Sequence, residues 1–144
     1  MVEPQLIRQY VDTGKVTLIW RDSCPTQAKS RRAAQAARCA GQQGQFWEYH
    51  RHLYANQRGE NQGQFSVANL RAFAAALKLD TAPFNACLDA GGDTGAIQED
   101  LSAARARNVN ATPYFFMNGR AIVGAGSFNQ FATALDTELR RLGQ

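Results

Sequence analysis

The spacing of apolar positions changes period several times along the chain, and each change predicts a new element. In residues 4–11, Leu6, Ile7, Tyr10 and Val11 share one helical face and Gly14 follows, which predicts a short helix with a glycine stop. Residues 16–20, "VTLIW", form a nearly unbroken β-forming run, expected to be a strand with both faces buried, as in a parallel sheet. From Pro25 to about Ala40 the pattern is helical and Ala-rich. Phe46, Tyr49, His50 and Leu53 then define one side of a second helix over residues 46–56.

Later starts are marked by caps. Ser66 precedes a helix with Phe65 and Leu70 at staple positions, and Asp80 precedes another with Leu79 and Phe84 in the same relation. Pro83 is tolerated in the first turn of the latter. Residues 93–107 keep Ile97, Leu101 and Ala104 in helical register. "PYFFMNGRAIVG" then reads as two apolar runs around an Asn118-Gly119 turn, a strong hairpin signal. Ser127 and Gln130 form a capping-box pair opening a last helix, whose Phe128, Phe131, Leu135, Leu139 and Leu142 are expected to face the core. The order is helix, strand, four or five helices, hairpin, helix, with no repeat and no linker.

At 144 residues the chain is the size of one domain and can bury about 70% of its unfolded surface. Its 44% apolar and 19% charged residues fit a globular protein. No apolar window is long enough to span a membrane, and the first residues lack the basic-then-apolar order of a signal peptide. The net charge of +4 comes from scattered arginines, not from a dense basic stripe interleaved with aromatics, so nucleic acid is not an expected partner.

Chemistry concentrates at few positions. "RDSCPTQAKSRR" sets Cys24 at a predicted helix start near Arg21 and Lys29, where a thiol can have its pKa lowered. A dithiol centre of the Cys-x-x-Cys type is incomplete here, because Gln27 holds the fourth position. Cys39 lies about 22 Å further along a continuous helix, beyond the roughly 7 Å limit between disulfide Cα atoms. Cys24 is therefore either a monothiol that needs an external resolving thiol or an incidental cysteine. His50 and His52 are about 200° apart on a helix and cannot ligate one ion together. Cys24, Cys39 and Cys87 match no zinc spacing, so neither metal nor cofactor is expected.

The stretches "VEPQLIRQYVDTGKVTLIWRD", "AAQAARCAGQQGQFWEYHRHLYANQ", "FNACLDAG" and "NATPYFFMNG", in this order, make the chain resemble the DsbA-like thiol–disulfide oxidoreductases. The resemblance implies an α/β, thioredoxin-like sheet with an inserted helical subdomain at about residues 25–107 of a single domain spanning 1–144. It also implies that residues 2–11 match the latter half of the helix that follows the family's dithiol. The first, central strand and the Cys-x-x-Cys motif are then expected to be missing, with strand edges exposed to association.

Site residues follow from the same resemblance. Thr112 and Pro113 match the loop in which proline is cis and an extended substrate is held by backbone hydrogen bonds; the plain alternative is a trans proline that starts a strand. Cys39 and Cys87 match a pair that some relatives join as a structural disulfide, which would also imply an extracytoplasmic or periplasmic location. Two buried thiols in a reducing compartment are the alternative. Two functions stand: protein disulfide exchange on unfolded or extended substrates, impaired here by the absent dithiol, or a non-catalytic module that binds peptides or forms a homodimer through its strand edges.

Overall fold

The computed structural model describes residues 2–23, 28–59, 63–124 and 126–144, with only the backbone given at 28, 29 and 123. The elements are α1 (Glu3–Leu6), continued by a π-helical turn (Ile7–Val11), then α2 (Ala28–Gly41), α3 (Phe46–Ala55), α4 (Val67–Ala76), α5 (Thr81–Asp89) and α6 (Thr94–Ala106). A hairpin of β1 (Tyr114–Met117) and β2 (Arg120–Val123) and the terminal α7 (Phe128–Arg141) complete the chain. Two compact units result. Arg21–Asn108 forms one, and Met1–Trp20 with Val109–Gln144 forms the other.

The Arg21–Asn108 unit is all helical. Its capping side chains act as their residue types dictate: Ser66 accepts from the Asn69 N–H, Asp80 from Ala82 and Asp93 from Ala96, each worth about 1 kcal/mol. The helices close over Tyr49, Leu70, Ala74 and Phe84, all fully buried. Tyr49 packs on Phe84 at a centroid distance of 5.5 Å and donates its hydroxyl hydrogen to the Leu70 carbonyl at 2.7 Å. That bond satisfies the one polar atom this large side chain carries into the core. Burial also pushes the Tyr49 hydroxyl well above its ordinary pKa. Cys39 on α2 is bonded to Cys87 on α5 with S–S 2.04 Å, so the bridge joins two helices 48 residues apart in sequence.

The other unit brings the two ends of the chain together. Leu6, Ile7, Tyr10 and Val11 are buried or half-buried while Gln5, Arg8 and Gln9 are exposed, so the apolar stripe faces inward through the π-helical turn. Tyr10 is buried and donates to Asp136 on α7 at 2.8 Å; burial, and then this carboxylate, raise its hydroxyl pKa. Asn118 and Gly119 close the hairpin with φ of +47° and +85°, the left-handed pair that a type I′ turn requires. Tyr114 pairs with Val123 and Met117 with Arg120, antiparallel. Phe115 points at α7, where its ring meets Phe131 edge-on at 4.7 Å. The capping box at Ser127 and Gln130 is present in full.

Three expectations are corrected here. Residues 16–20 have no regular secondary structure. Their β-forming composition is real, but a strand exists only within a ladder, and the sheet among the described residues contains β1 and β2 alone. Nor are both faces buried: Val16, Leu18 and Trp20 are half-buried while Thr17 is exposed and Ile19 is 67% exposed. Leu142 is also exposed, because α7 ends at Arg141 and leaves it beyond the packed turns. Glu138 is buried in its place on the inner side of α7, fixed by Asn118 at 2.9 Å and by Arg141 through two bonds of 2.9 and 2.6 Å.

Candidate functional site

The Thr112–Pro113 peptide bond is cis. Ala111, Thr112 and Pro113 are all exposed, in the segment that leads directly into β1. Proline suits that place, since its missing N–H costs nothing before the ladder begins. The Pro113 carbonyl accepts from the Gly124 N–H at 3.2 Å, which ties the loop to the end of β2. Hydrogen-bonded pairs alternate along an antiparallel ladder. Met117–Arg120 flanks the two-residue turn and Pro113–Gly124 bonds at the far end, so Phe115–Ile122 is the bonded pair between them. The backbone groups of Tyr114 therefore turn away from β2, toward the other edge of β1. Thr112 has no hydrogen bond to any described residue. The exposed Thr112 thus adjoins a strand whose own sequence, "YFFM", carries no charge.

At the same end of the hairpin, Ile122, Gly124, Gly126, Gln130, Phe131 and Ala134 line a groove of about 160 Å³. Its walls are mostly apolar. Gln130 supplies the polar group: its Oε1 accepts from the Ser127 N–H at 2.7 Å. Because that partner can only donate, the side-chain amide orientation is fixed and the NH₂ remains a donor.

The other expected residues fall elsewhere. Cys24 lies outside the described residues. Cys39 and Cys87 are on α2 and α5, with Cys39 only 1% exposed, and the bridge is part of the helical core. His50 is buried beside Phe46, Trp47 and Tyr54 with centroids 4.8–5.8 Å away, while His52 rests on Phe73 at 4.8 Å. No cluster suited to a metal ion occurs among the described residues.

One charged constellation was not legible in the sequence. Asp100 on α6 is 2% exposed and accepts from Arg21 at 2.8 Å, from Arg38 at 2.5 Å and from the Asp22 N–H at 3.0 Å. Asp22 in turn accepts from Arg38 Nε at 2.7 Å. Two carboxylates face two guanidiniums, so the buried charge is balanced, and it fixes the segment just before Cys24 onto α2 and α6. Burial alone would lower the Arg38 pKa, but its hydrogen bond to Asp22 and the charges of Asp22, Asp100 and Asp93 outweigh it and raise the value. The charged pair in "WRD" was the one local hint; its partners lie 16 to 79 residues away.

A two-stranded hairpin entered through a cis-proline loop, backed by a terminal helix and accompanied by a helical unit, defines a thioredoxin-type scaffold of the DsbA kind. The comparisons agree. The family model described as Thioredoxin matches residues 1–137. BdbD from Bacillus subtilis, in its oxidised crystal structure, superposes with a TM-score of 0.84 at 21% identity, over 95% of this chain and 76% of that one. The Na(+)/H(+) antiporter NhaA 3 of Salinispora tropica is 33% identical over 135 residues, 92% of this chain and 20% of that protein. NhaA 1 of Salinispora arenicola matches to the same extent, and NhaA of Herminiimonas arsenicoxydans is 31% identical over 108 residues, 17% of its length. The chain spans about a fifth of the length of the curated relatives it matches. It belongs to the thioredoxin family. Among the described residues no helix is long and apolar enough to cross a membrane.

Proposed function

We propose that this chain is a thioredoxin-fold module of the thiol–disulfide oxidoreductase kind. It holds extended polypeptide at Thr112 and Pro113, and its own disulfide exchange is impaired. The observation that carries the reading is the exposed Thr112 backbone beside an uncharged strand edge, the arrangement that strand-like peptide capture uses. Impairment follows from thiol supply. The sequence holds three cysteines and no Cys-x-x-Cys, and the bridge occupies Cys39 and Cys87. Cys24 remains. Its thiolate could attack a substrate disulfide, forming a mixed disulfide and releasing one substrate thiolate, but a second, external thiolate must then resolve the intermediate.

The Cys39–Cys87 bridge and the likeness to BdbD favour an extracytoplasmic setting. The antiporter relatives are about five times longer than this chain, and we propose that the matched fifth is a thioredoxin module within them. The helical unit of residues 21–108 is, on this reading, the insert of one discontinuous thioredoxin domain.

An insulin-reduction assay tests the redox half. With dithiothreitol supplied as the reductant, the expected result is a slow rate abolished by Cys24→Ser. A rate equal to that of a thioredoxin with an intact Cys-x-x-Cys would refute the impairment, and a rate unchanged by Cys24→Ser would remove Cys24 from the scheme. A second reading, a module that dimerises through the β1 edge, is favoured by Phe116 at 38% and Ile19 at 67% exposure. Sedimentation equilibrium giving a monomer throughout the micromolar range would retire it.

A further inference from the structure

We propose that Asn118-Gly119, the turn of the hairpin, is a site of spontaneous deamidation through a succinimide, and that Glu138 on α7 holds it closed while the protein is folded. The inference is independent of the peptide-binding reading. Three observations carry it.

The first is the nucleophile. Succinimide formation uses the backbone nitrogen of the residue after an asparagine, and a side chain on that residue obstructs the approach. The sequence has one Asn-Gly pair. Gly119 is exposed, and its N–H makes no hydrogen bond to any described residue. The space around it is open as well, since even a Cβ built there would meet nothing within 4 Å.

The second is the restraint on the electrophile. Asn118 donates from Nδ2 to Glu138 Oε1 at 2.9 Å, across 20 residues of chain. Glu138 is itself fixed, because Arg141 donates to Oε2 at 2.9 Å and to Oε1 at 2.6 Å. Ring closure must swing Cγ of Asn118 onto the Gly119 nitrogen, and a side chain tied to α7 is not free to make that rotation. Nor does the tie assist the chemistry. A carboxyl held at about 2 is ionised at neutral pH and has no proton to give a departing nitrogen.

The third is the consequence of release. The Gly119 nitrogen attacks Asn118 Cγ, the N–Cγ bond forms, the Cγ–Nδ2 bond breaks, and the amide nitrogen leaves as ammonia with the Gly119 proton. Water then opens the ring at either carbonyl, giving aspartate or isoaspartate. Both products set a carboxylate where an amide had donated to Glu138, so a hydrogen bond becomes like-charge repulsion. Arg141 already serves both Glu138 oxygens, which leaves Arg120 as the nearby cation to offset the new charge. Isoaspartate also lengthens the main chain by one carbon, a departure from the two-residue turn.

The test follows isoaspartate and aspartate at residue 118 by peptide mapping of the whole chain, incubated in buffer and in guanidinium chloride. In denaturant Asn118 should convert faster than every other asparagine. In buffer it should convert at least roughly tenfold more slowly, as expected for loss of a hydrogen bond to an ionised group. Glu138→Ala should recover about tenfold of that rate in buffer, and Glu138→Gln, which keeps an acceptor oxygen, clearly less. Asn118→Asp, which mimics one product, should lower Tm, and adding Glu138→Gln should restore part of the loss; this pair decides should Glu138→Ala not fold. Asn118 left intact in denaturant while other asparagines convert would overturn the site. Equal rates in buffer and denaturant, or no recovery of Tm in the double variant, would overturn the role of Glu138.

Discussion

Removing the Cys39–Cys87 bridge offers the clearest quantitative prediction. The perturbation is the double substitution Cys39→Ala, Cys87→Ala, made in a Cys24→Ser background so that no third thiol can exchange with the bridge. The bonded residues are 48 apart, and closing a loop of that length removes about 4 kcal/mol of unfolded-state entropy in the chain-entropy treatment. Cys39 sits at 1% exposure in the helical core, so losing its sulfur adds a small packing cost in the same direction. For 144 residues unfolding with about 2.1 cal/mol/K of entropy per residue, 4 kcal/mol corresponds to about 13 °C in Tm. Thermal and urea melts, compared with the Cys24→Ser parent, measure the difference. A shift below about 3 °C would refute the reasoning. So would labelling of both cysteines by a thiol probe in unreduced parent protein.

The ion network predicts an asymmetry. Asp100→Ala should cost about 3 kcal/mol, because a buried carboxylate serving three donors is lost. Arg21→Ala should cost less than about 1 kcal/mol, since its side chain is 71% exposed; equal losses in urea melts would contradict the assignment. Hydrogen bonds from Arg141 and then Asn118 hold the Glu138 carboxyl at about 2, against an ordinary value of 4.5. A depressed folded-state pKa stabilises fully above the unfolded value and progressively less as pH falls from about 4.5 toward 2. Glu138→Gln should therefore lower Tm at pH 7, with the two curves converging near pH 2, and a gap that stays constant with pH would count against it. Ser127→Ala should cost about 1 kcal/mol through loss of the α7 cap, readable in the same melts.

What was legible depended on how far away the deciding partner lies. Ser66, Asp80, Ser127 and the Asn118-Gly119 turn act on backbone within three residues of themselves, and each could be read locally. The helical faces of residues 4–11 and 46–56 were readable for the same reason. Residues 16–20 were misread because composition reports β-forming tendency, whereas a strand needs a neighbour that local sequence does not supply. Leu142 kept the helical register of Leu135 and Leu139 but fell one residue past the end of α7. Asp22, Arg38 and Asp100 look like ordinary surface charges until tertiary folding joins them. The exposed Thr112 loop was found through family resemblance. The groove beside it was not found, since it is built from a strand end, two glycines and a helix start that carry no shared motif.

The Tyr10–Asp136 bond spans 126 residues, and this has a consequence for synthesis on the ribosome. The helical unit is complete once Asn108 has emerged, and it can fold while translation continues. The opening segment must wait for the last helix to arrive, with its apolar stripe uncovered meanwhile. Chains terminated after Asn108 should therefore present that stripe to chaperones and proteases, which limited proteolysis of the released chains would detect as cleavage confined to the first twenty residues.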